Sequence, residues 1–182
     1  MKKVKITVIV LFCFMYSSSV PFKMQVTELD PYEPPEPEMF EPEQIMPPRR
    51  VVPEQFRIMF DMAAAGYGTP VEILESVAWV ESKFNPYALS PERADGYCDM
   101  GMFQINSQFL DWFMQRYGDF DPLDPGAAIK VAALHLNWLY GKYRNWYNVI
   151  LAYNAGITGF ETGNIPESSY TYAALVFGET EN

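Results

Sequence analysis

The chain reads as an all-α protein on three observations. Apolar residues recur at i, i+3, i+4 and i+7 in a series of short segments, the period of a helix with one face turned inward. Residues that open and close helices punctuate those segments. Alternating polar and apolar runs, the mark of half-buried strands, are sparse.

The first segment carries Phe56, Met59, Phe60 and Ala63 between Pro53 and Gly66. The second carries Ile73, Leu74, Val77, Ala78 and Glu81, with Thr69-Pro70 as its cap and first turn. Phe109, Trp112, Phe113 and Arg116 form a third, closed by Gly118. Asp124-Pro125 opens a fourth, with Ile129, Ala132, Ala133, Leu136 and Leu139 on one face. A fifth runs from Asn145 or Trp146 to Ala155 and stops at Gly156, and a last one covers roughly Ser169–Phe177. A long internal loop, Asn85–Met100, separates the second segment from Gly101. Residues 54–178 thus make one helical domain.

The N-terminal residues have a different character. Met1–Lys5 holds three lysines, Ile6–Tyr16 is apolar except for Thr7, and Ser17–Ser19, Val20 and Pro21 follow. A basic start, an apolar stretch and small residues are the layout of a secretory signal. Residues 1–22 are therefore expected to direct export to the periplasm or cell envelope, with an uncleaved anchor as the alternative. The apolar run is about half the ~20 residues that a spanning helix needs. Residues 23–53 read as a linker: Pro31–Pro53 holds eight of the fifteen prolines and five glutamates, so it is expected to be an extended acidic spacer. Cys13 falls inside the signal, which leaves Cys98 without an internal disulfide partner. With His135 as the single histidine, Cys98 reads as a loop side chain and His135 as structural.

Composition bounds the function. The 182 residues are 49% hydrophobic and 16% aromatic, ample for a core. A net charge of −10 speaks against nucleic-acid binding through bulk charge. No His/Cys cluster has metal-ligand spacing, so no metal site is expected.

Glu81 stands out. Leu74, Val77 and Ala78 precede it by seven, four and three residues, which places its carboxyl on the apolar face. Glu72 and Glu75 lie on other faces and read as solvated. A carboxyl on a buried face has its charged form disfavoured, so its pKa rises and it can donate a proton near neutrality. A helix-end glutamate paired with Lys83 or Arg93 is the alternative.

The residues that follow narrow the choice. Glu81-Ser82-Lys83-Phe84-Asn85-Pro86, then Ala88-Leu89-Ser90, Gly101-Met102-Phe103-Gln104-Ile105-Asn106 and Ala152-Tyr153-Asn154-Ala155-Gly156 resemble, in order, the motifs of the lytic transglycosylases of the soluble-transglycosylase class. Cys98–Ser107 is similar to the corresponding block of the small members tied to secretion systems and envelope machines. The block departs from the usual pattern in reading Met-Phe for Leu-Met, and Pro91–Met100 is longer than the common spacer.

The resemblance implies a lysozyme-like helical domain with a glycan-binding cleft. It implies cleavage of the β-1,4 bond between N-acetylmuramic acid and N-acetylglucosamine of a peptidoglycan strand, closing a 1,6-anhydro ring. Glu81 would act as acid and then as base, with no metal or organic cofactor needed. Ser82, Ser90, Gly101, Met102, Gln104, Tyr153, Asn154 and Tyr172 would bind substrate or orient the acid, with the hydroxyls of Ser82 and Tyr153 beside Glu81. Met102 and Phe103 would wall off water. Asp99 is the one candidate for a second carboxylate. An envelope-spanning machine is a candidate partner beside the glycan itself. Two rivals stay open: a hydrolytic muramidase, and a non-catalytic peptidoglycan-binding scaffold.

Overall fold

The structure is a computed structural model that describes residues 45–178. The expected export signal and most of the expected linker lie outside the described residues. Within them, α1 (Glu54–Tyr67) and α2 (Val71–Ser82) precede a short hairpin of β1 (Asp99–Met100) and β2 (Ile105–Asn106). Then come α3 (Leu110–Tyr117), α4 (Pro125–Tyr143), α5 (Trp146–Ala155), α6 (Ile157–Glu161) and α7 (Glu167–Phe177). The hairpin and α6 do not show in the sequence pattern, because strands of two residues and a helix of five are too short to display a period. The hairpin is antiparallel, pairing Asp99 with Asn106 and Met100 with Ile105, and Leu89 adds a bridge to Met100.

The central element is α4. One apolar face is expected of it, yet Ala128, Val131, Leu134, His135 and Asn137 are buried as well as Ile129, Leu136 and Leu139, so burial extends around most of its circumference. Helices α1, α2, α3 and α5 all pack on it, and a helix enclosed on most sides needs small and apolar residues all round. Its start follows the expectation: the Asp124 carboxylate accepts from the Ala127 N–H at 2.7 Å and Pro125 occupies the first turn. Asn145 caps α5 likewise, accepting from Asn148 N–H at 3.0 Å.

Two helix ends differ from the sequence reading. Helix α1 runs past Gly66 and closes at Gly68, whose φ of 73° is left-handed and whose N–H donates to Ala64 O at 3.0 Å. Thr69 does not cap α2. Its buried hydroxyl donates instead to Ala133 O of α4 at 2.7 Å, tying the start of α2 to the central helix.

Glu75 also corrects the sequence reading. It is not solvated but 1% exposed. The Arg49 guanidinium forks onto its carboxylate at 2.8 and 2.9 Å, and the Arg50 N–H adds a third bond at 3.1 Å. The partners come from the end of the stretch read as spacer, so helical periodicity within α2 could not reveal them. In that stretch Pro47 and Val52 are buried, and residues 45–53 lie as a strap on the domain.

A buried carboxylate stripped of its guanidinium costs more than a surface pair does. Arg49→Ala is therefore expected to lower unfolding stability by about 2–3 kcal/mol, seen as a lower urea midpoint. Arg49→Lys is expected to recover only part of it, because an ammonium cannot make the forked contact. An unchanged midpoint in Arg49→Ala would show that the strap does not hold Glu75.

Candidate active site

Glu81 is the penultimate residue of α2. Behind it Leu74, Val77 and Ala78 are completely buried. Its Oε1 accepts a hydrogen bond from the Tyr172 hydroxyl of α7 at 2.7 Å. The carboxyl is pushed up from its ordinary value to about 7. Burial is the main cause, the Tyr172 bond works against it, and the negative charge of Asp99 adds to it. The C-terminal end of a helix carries partial negative charge, so the last turn of α2 is also an unfavourable place for a carboxylate.

The chain leaves Glu81 through an unusual bend. Lys83 and Phe84 both adopt left-handed backbone, with φ of 57° and 63°. Neither is a glycine, so the bend must be held by its surroundings. Lys83 N–H donates to Trp79 O at 3.0 Å and Phe84 N–H to Ala78 O at 3.3 Å. The Phe84 ring is buried between Phe60 and Trp79, and the Lys83 ammonium lies 4.5 Å over the Trp79 ring. Lys83 is thus turned to Trp79 and Arg93 to Asp99, so the ion pairs considered for Glu81 are not made.

The segment 101–104 is tied to α2 and to α5. Gly101 has φ of 73°, and a side-chain carbon there would stand 2.0 Å from Pro122 O, so only glycine fits. Met102 and Phe103 are buried, as an apolar wall requires. Ser82 Oγ donates to Met102 O at 2.8 Å, and the Tyr153 hydroxyl donates to Phe103 O at 2.9 Å. Gln104, also left-handed at φ 46°, donates its side-chain amide to Gly101 O at 2.9 Å and Ala88 O at 3.3 Å.

These bonds revise the expected contacts. Ser82 and Tyr153 do not hydrogen-bond Glu81; both hold backbone carbonyls of the 101–104 segment. The reason is local: two consecutive carbonyls of a tight, non-helical segment need donors, and these hydroxyls supply them. Tyr153 still feels Glu81, since burial first and the Glu81 charge second raise its pKa well above the ordinary tyrosine value. Tyr172, not Tyr153, is the partner of the acid. Gln104 braces its own loop. Ser90 Oγ accepts from Asp99 N–H at 2.8 Å and so belongs to the hairpin. The Asn154 side chain accepts from Ser169 Oγ at 2.8 Å, which joins α5 to α7.

Asp99 does not stand free beside Glu81. It is ion-paired with Arg93 and accepts from Asn106 Nδ2 at 2.9 Å. Asn85 turns the loop, accepting from Tyr87 N–H at 3.0 Å. His135 is buried, pushed down to about 3 by burial and the nearby Arg116 charge, stacked on Trp138 and bonded through Nδ1 to the Tyr117 hydroxyl at 3.0 Å. Among the described residues no three His, Cys, Asp or Glu side chains converge as metal ligands. Sequence reasoning did not foresee that the Met102 and Phe103 carbonyls anchor the site. A pattern of side chains carries no direct sign of backbone acceptors.

A mostly helical fold with one half-buried carboxyl pushed up to about 7 is the frame of a lysozyme-like domain. The Transglycosylase SLT domain matches residues 58–164, and the chain belongs to that family. It is 28% identical over 121 residues to the X polypeptide of Escherichia coli, covering 65% of this chain and 69% of that protein. It is 34% identical over 106 residues to the peptidoglycan transglycosylase gp16 of Escherichia phage T7, covering 58% of this chain but 8% of the phage protein. The fold is similar to that of the 70-kDa soluble lytic transglycosylase of Escherichia coli, with a TM-score of 0.56 and 25% identity over 66% of this chain and 22% of the other. The complex of a 70-kDa soluble lytic transglycosylase with bulgecin A matches with a TM-score of 0.51 and 24% identity, over 70% of this chain and 22% of that one. The chain thus spans about a fifth of the length of those solved structures.

The shifted pKa has a stability consequence. A carboxyl near 7 in the folded state and 4.5 unfolded favours folding below 4.5. That advantage is lost as pH rises through 7, where the fold must carry a buried charge. Glu81→Gln keeps an acceptor for Tyr172 but never ionises. It is expected to melt at a higher temperature than the parent at pH 8, by up to roughly 3 kcal/mol of stability, with the difference fading between pH 7 and 4.5. Equal melting curves at both pH values would mean that Glu81 is not held out of water.

Proposed function

We propose that the chain is a peptidoglycan lytic transglycosylase that cleaves the β-1,4 bond between N-acetylmuramic acid and N-acetylglucosamine and leaves a 1,6-anhydromuramoyl end. The observation that carries the reading is the Glu81 carboxyl at about 7, held by Tyr172 in a chain of this family. The relative of phage T7, named as a peptidoglycan transglycosylase, supports the substrate class.

In the proposed reaction Glu81 enters protonated. It gives its proton to the glycosidic oxygen as the bond to the muramoyl C1 breaks, and the N-acetylglucosamine unit leaves as an alcohol. The 2-acetamido oxygen covers the electron-poor C1. The Glu81 carboxylate then takes the proton of the muramoyl 6-hydroxyl, whose oxygen attacks C1 and closes the ring. Glu81 ends protonated, and no water is consumed. One group can do both steps because a pKa near the working pH makes giving and taking the proton comparably easy. Tyr172 keeps the carboxyl aimed, and Met102 and Phe103 keep water from competing.

A hydrolytic muramidase is the second reading, with Asp99 as the second carboxylate that such enzymes commonly use. Its motive is that the Asp99 charge reaches Glu81. The pairing of Asp99 with Arg93 and Asn106 disfavours it. Mass analysis of digested peptidoglycan separates the two. Ends lighter by one water are expected, and reducing ends in their place would overturn the lyase reading. Export and attachment to an envelope machine complete the proposal; recovery of the full chain from the cytosol alone would exclude the first.

Activity is expected to fall as pH rises through about 7, because the first step needs Glu81 protonated. Tyr172→Phe removes a bond that favours the charged form, so this limb should move to higher pH. Glu81→Gln is expected to lower kcat by about 10²–10⁴-fold. A Glu81→Gln enzyme that clears wall at the parent rate would leave only a glycan-binding scaffold.

A further inference from the structure

The Glu81–Tyr172 bond joins residues 91 positions apart on two helices, α2 and α7. Its length depends on how those helices are held against one another, and one side chain outside both of them touches each. Arg50 in the strap donates from Nε to Ser76 Oγ of α2 at 3.2 Å. From Nη2 it donates to Leu175 O at 3.0 Å and to Val176 O at 3.5 Å, in the last turn of α7. Its backbone N–H holds Glu75 Oε2 at 3.1 Å. The last carbonyls of a helix lack intrahelical donors and carry partial negative charge, so a guanidinium there both bonds them and opposes the dipole.

The geometry bears on the acid. Val176 lies four residues after Tyr172, so the two share a face one turn apart, and both are buried. Ser76 lies five residues before Glu81 on α2 and is completely buried. Pro48 of the same strap lies against Gly178, where a side-chain carbon would meet its Cδ at 3.0 Å. The strap therefore fixes the C-terminal turn of α7 from two positions.

We propose that Arg50 is a positioning residue for the reaction: by bridging Ser76 of α2 to the terminal carbonyls of α7 it sets the register in which Tyr172 meets Glu81. The N-terminal strap is then part of the catalytic apparatus and not only a tether. Arg49 differs in kind, since it engages Glu75 and Glu72 of α2 and Asp61 of α1 and not α7. This inference rests on Glu81 being the acid, and its test is arranged to separate the two.

The experiment compares the full chain with Arg50→Ala, Arg50→Lys, Tyr172→Phe, Arg50→Ala/Tyr172→Phe and Glu81→Gln on soluble glycan strands across pH. Arg50→Ala is expected to lower kcat about tenfold with KM little changed, short of the ~10²-fold that an ångström of misplacement costs. Its high-pH limb should move upward, as in Tyr172→Phe, and the double variant should show no further shift. Arg50→Lys, which can reach one of the two helices but not fork to both, should fall between. If Arg50→Ala is too unstable to assay, the Lys variant carries the same comparison. A variant that loses only melting temperature, with the parent's kcat and pH limb, would overturn the proposal. So would additive shifts in the double variant. An active Glu81→Gln would instead refute the acid assignment on which it rests.

Discussion

The site depends on one carboxyl held half-buried at the end of a helix. Glu81 gains nothing from the last turn of α2, whose dipole opposes its charge, and three completely buried apolar residues lie behind it. Left alone, such a group would either ionise by drawing water in or lose its orientation. The Tyr172 hydroxyl prevents the second without inviting the first, since a single 2.7 Å bond offsets part of the burial effect but not all of it. Around it, Tyr172 ties α7 to Glu81, and Ser82 and Tyr153 tie the 101–104 segment to α2 and α5.

The cost of this arrangement appears in the backbone. Among the described residues, three of the four left-handed non-glycine positions, Lys83, Phe84 and Gln104, lie in the two segments around Glu81. Strain of this kind persists only where packing over-determines it. Phe84 is pinned by Phe60 and Trp79, and Gln104 by its amide bonds to two carbonyls. Gly101 relieves the tightest point, where any side chain would meet Pro122 O. A chain that bent away from Glu81 through glycines would be easier to fold but looser at the site.

Much of this was legible in the sequence, and the limits are physical. Helical periodicity located the principal helices and turned Glu81 inward, because burial and the 3.6-residue repeat are both properties of side chains. The motif blocks brought Ser82 and Tyr153 to the right neighbourhood but not to the right partners. Hydroxyls bond whatever acceptors a tight loop leaves unsatisfied, and the Met102 and Phe103 carbonyls leave no mark in residue identity. Glu75 was misread for a related reason. A stripe analysis sees only the helix it scans, whereas the guanidinium that makes burial tolerable arrives from a proline-rich stretch 26 residues earlier. Proline-rich composition predicts extended backbone, which is compatible with a spacer and equally with a strap.

The hairpin bears on why one carboxyl would suffice. A second acid would need freedom to exchange protons. Asp99 instead has its oxygens engaged by Arg93 and by Asn106, opposite it in the hairpin, which disfavours that role. What Asp99 does have is a charge near enough to raise Glu81 further. That charge works on Glu81 in the opposite direction to the Tyr172 bond. Under the proposed mechanism a carboxyl poised between these two influences is better suited to donate and then accept than one driven far to either side. The lengthened loop that carries Arg93 holds Asp99 through that ion pair.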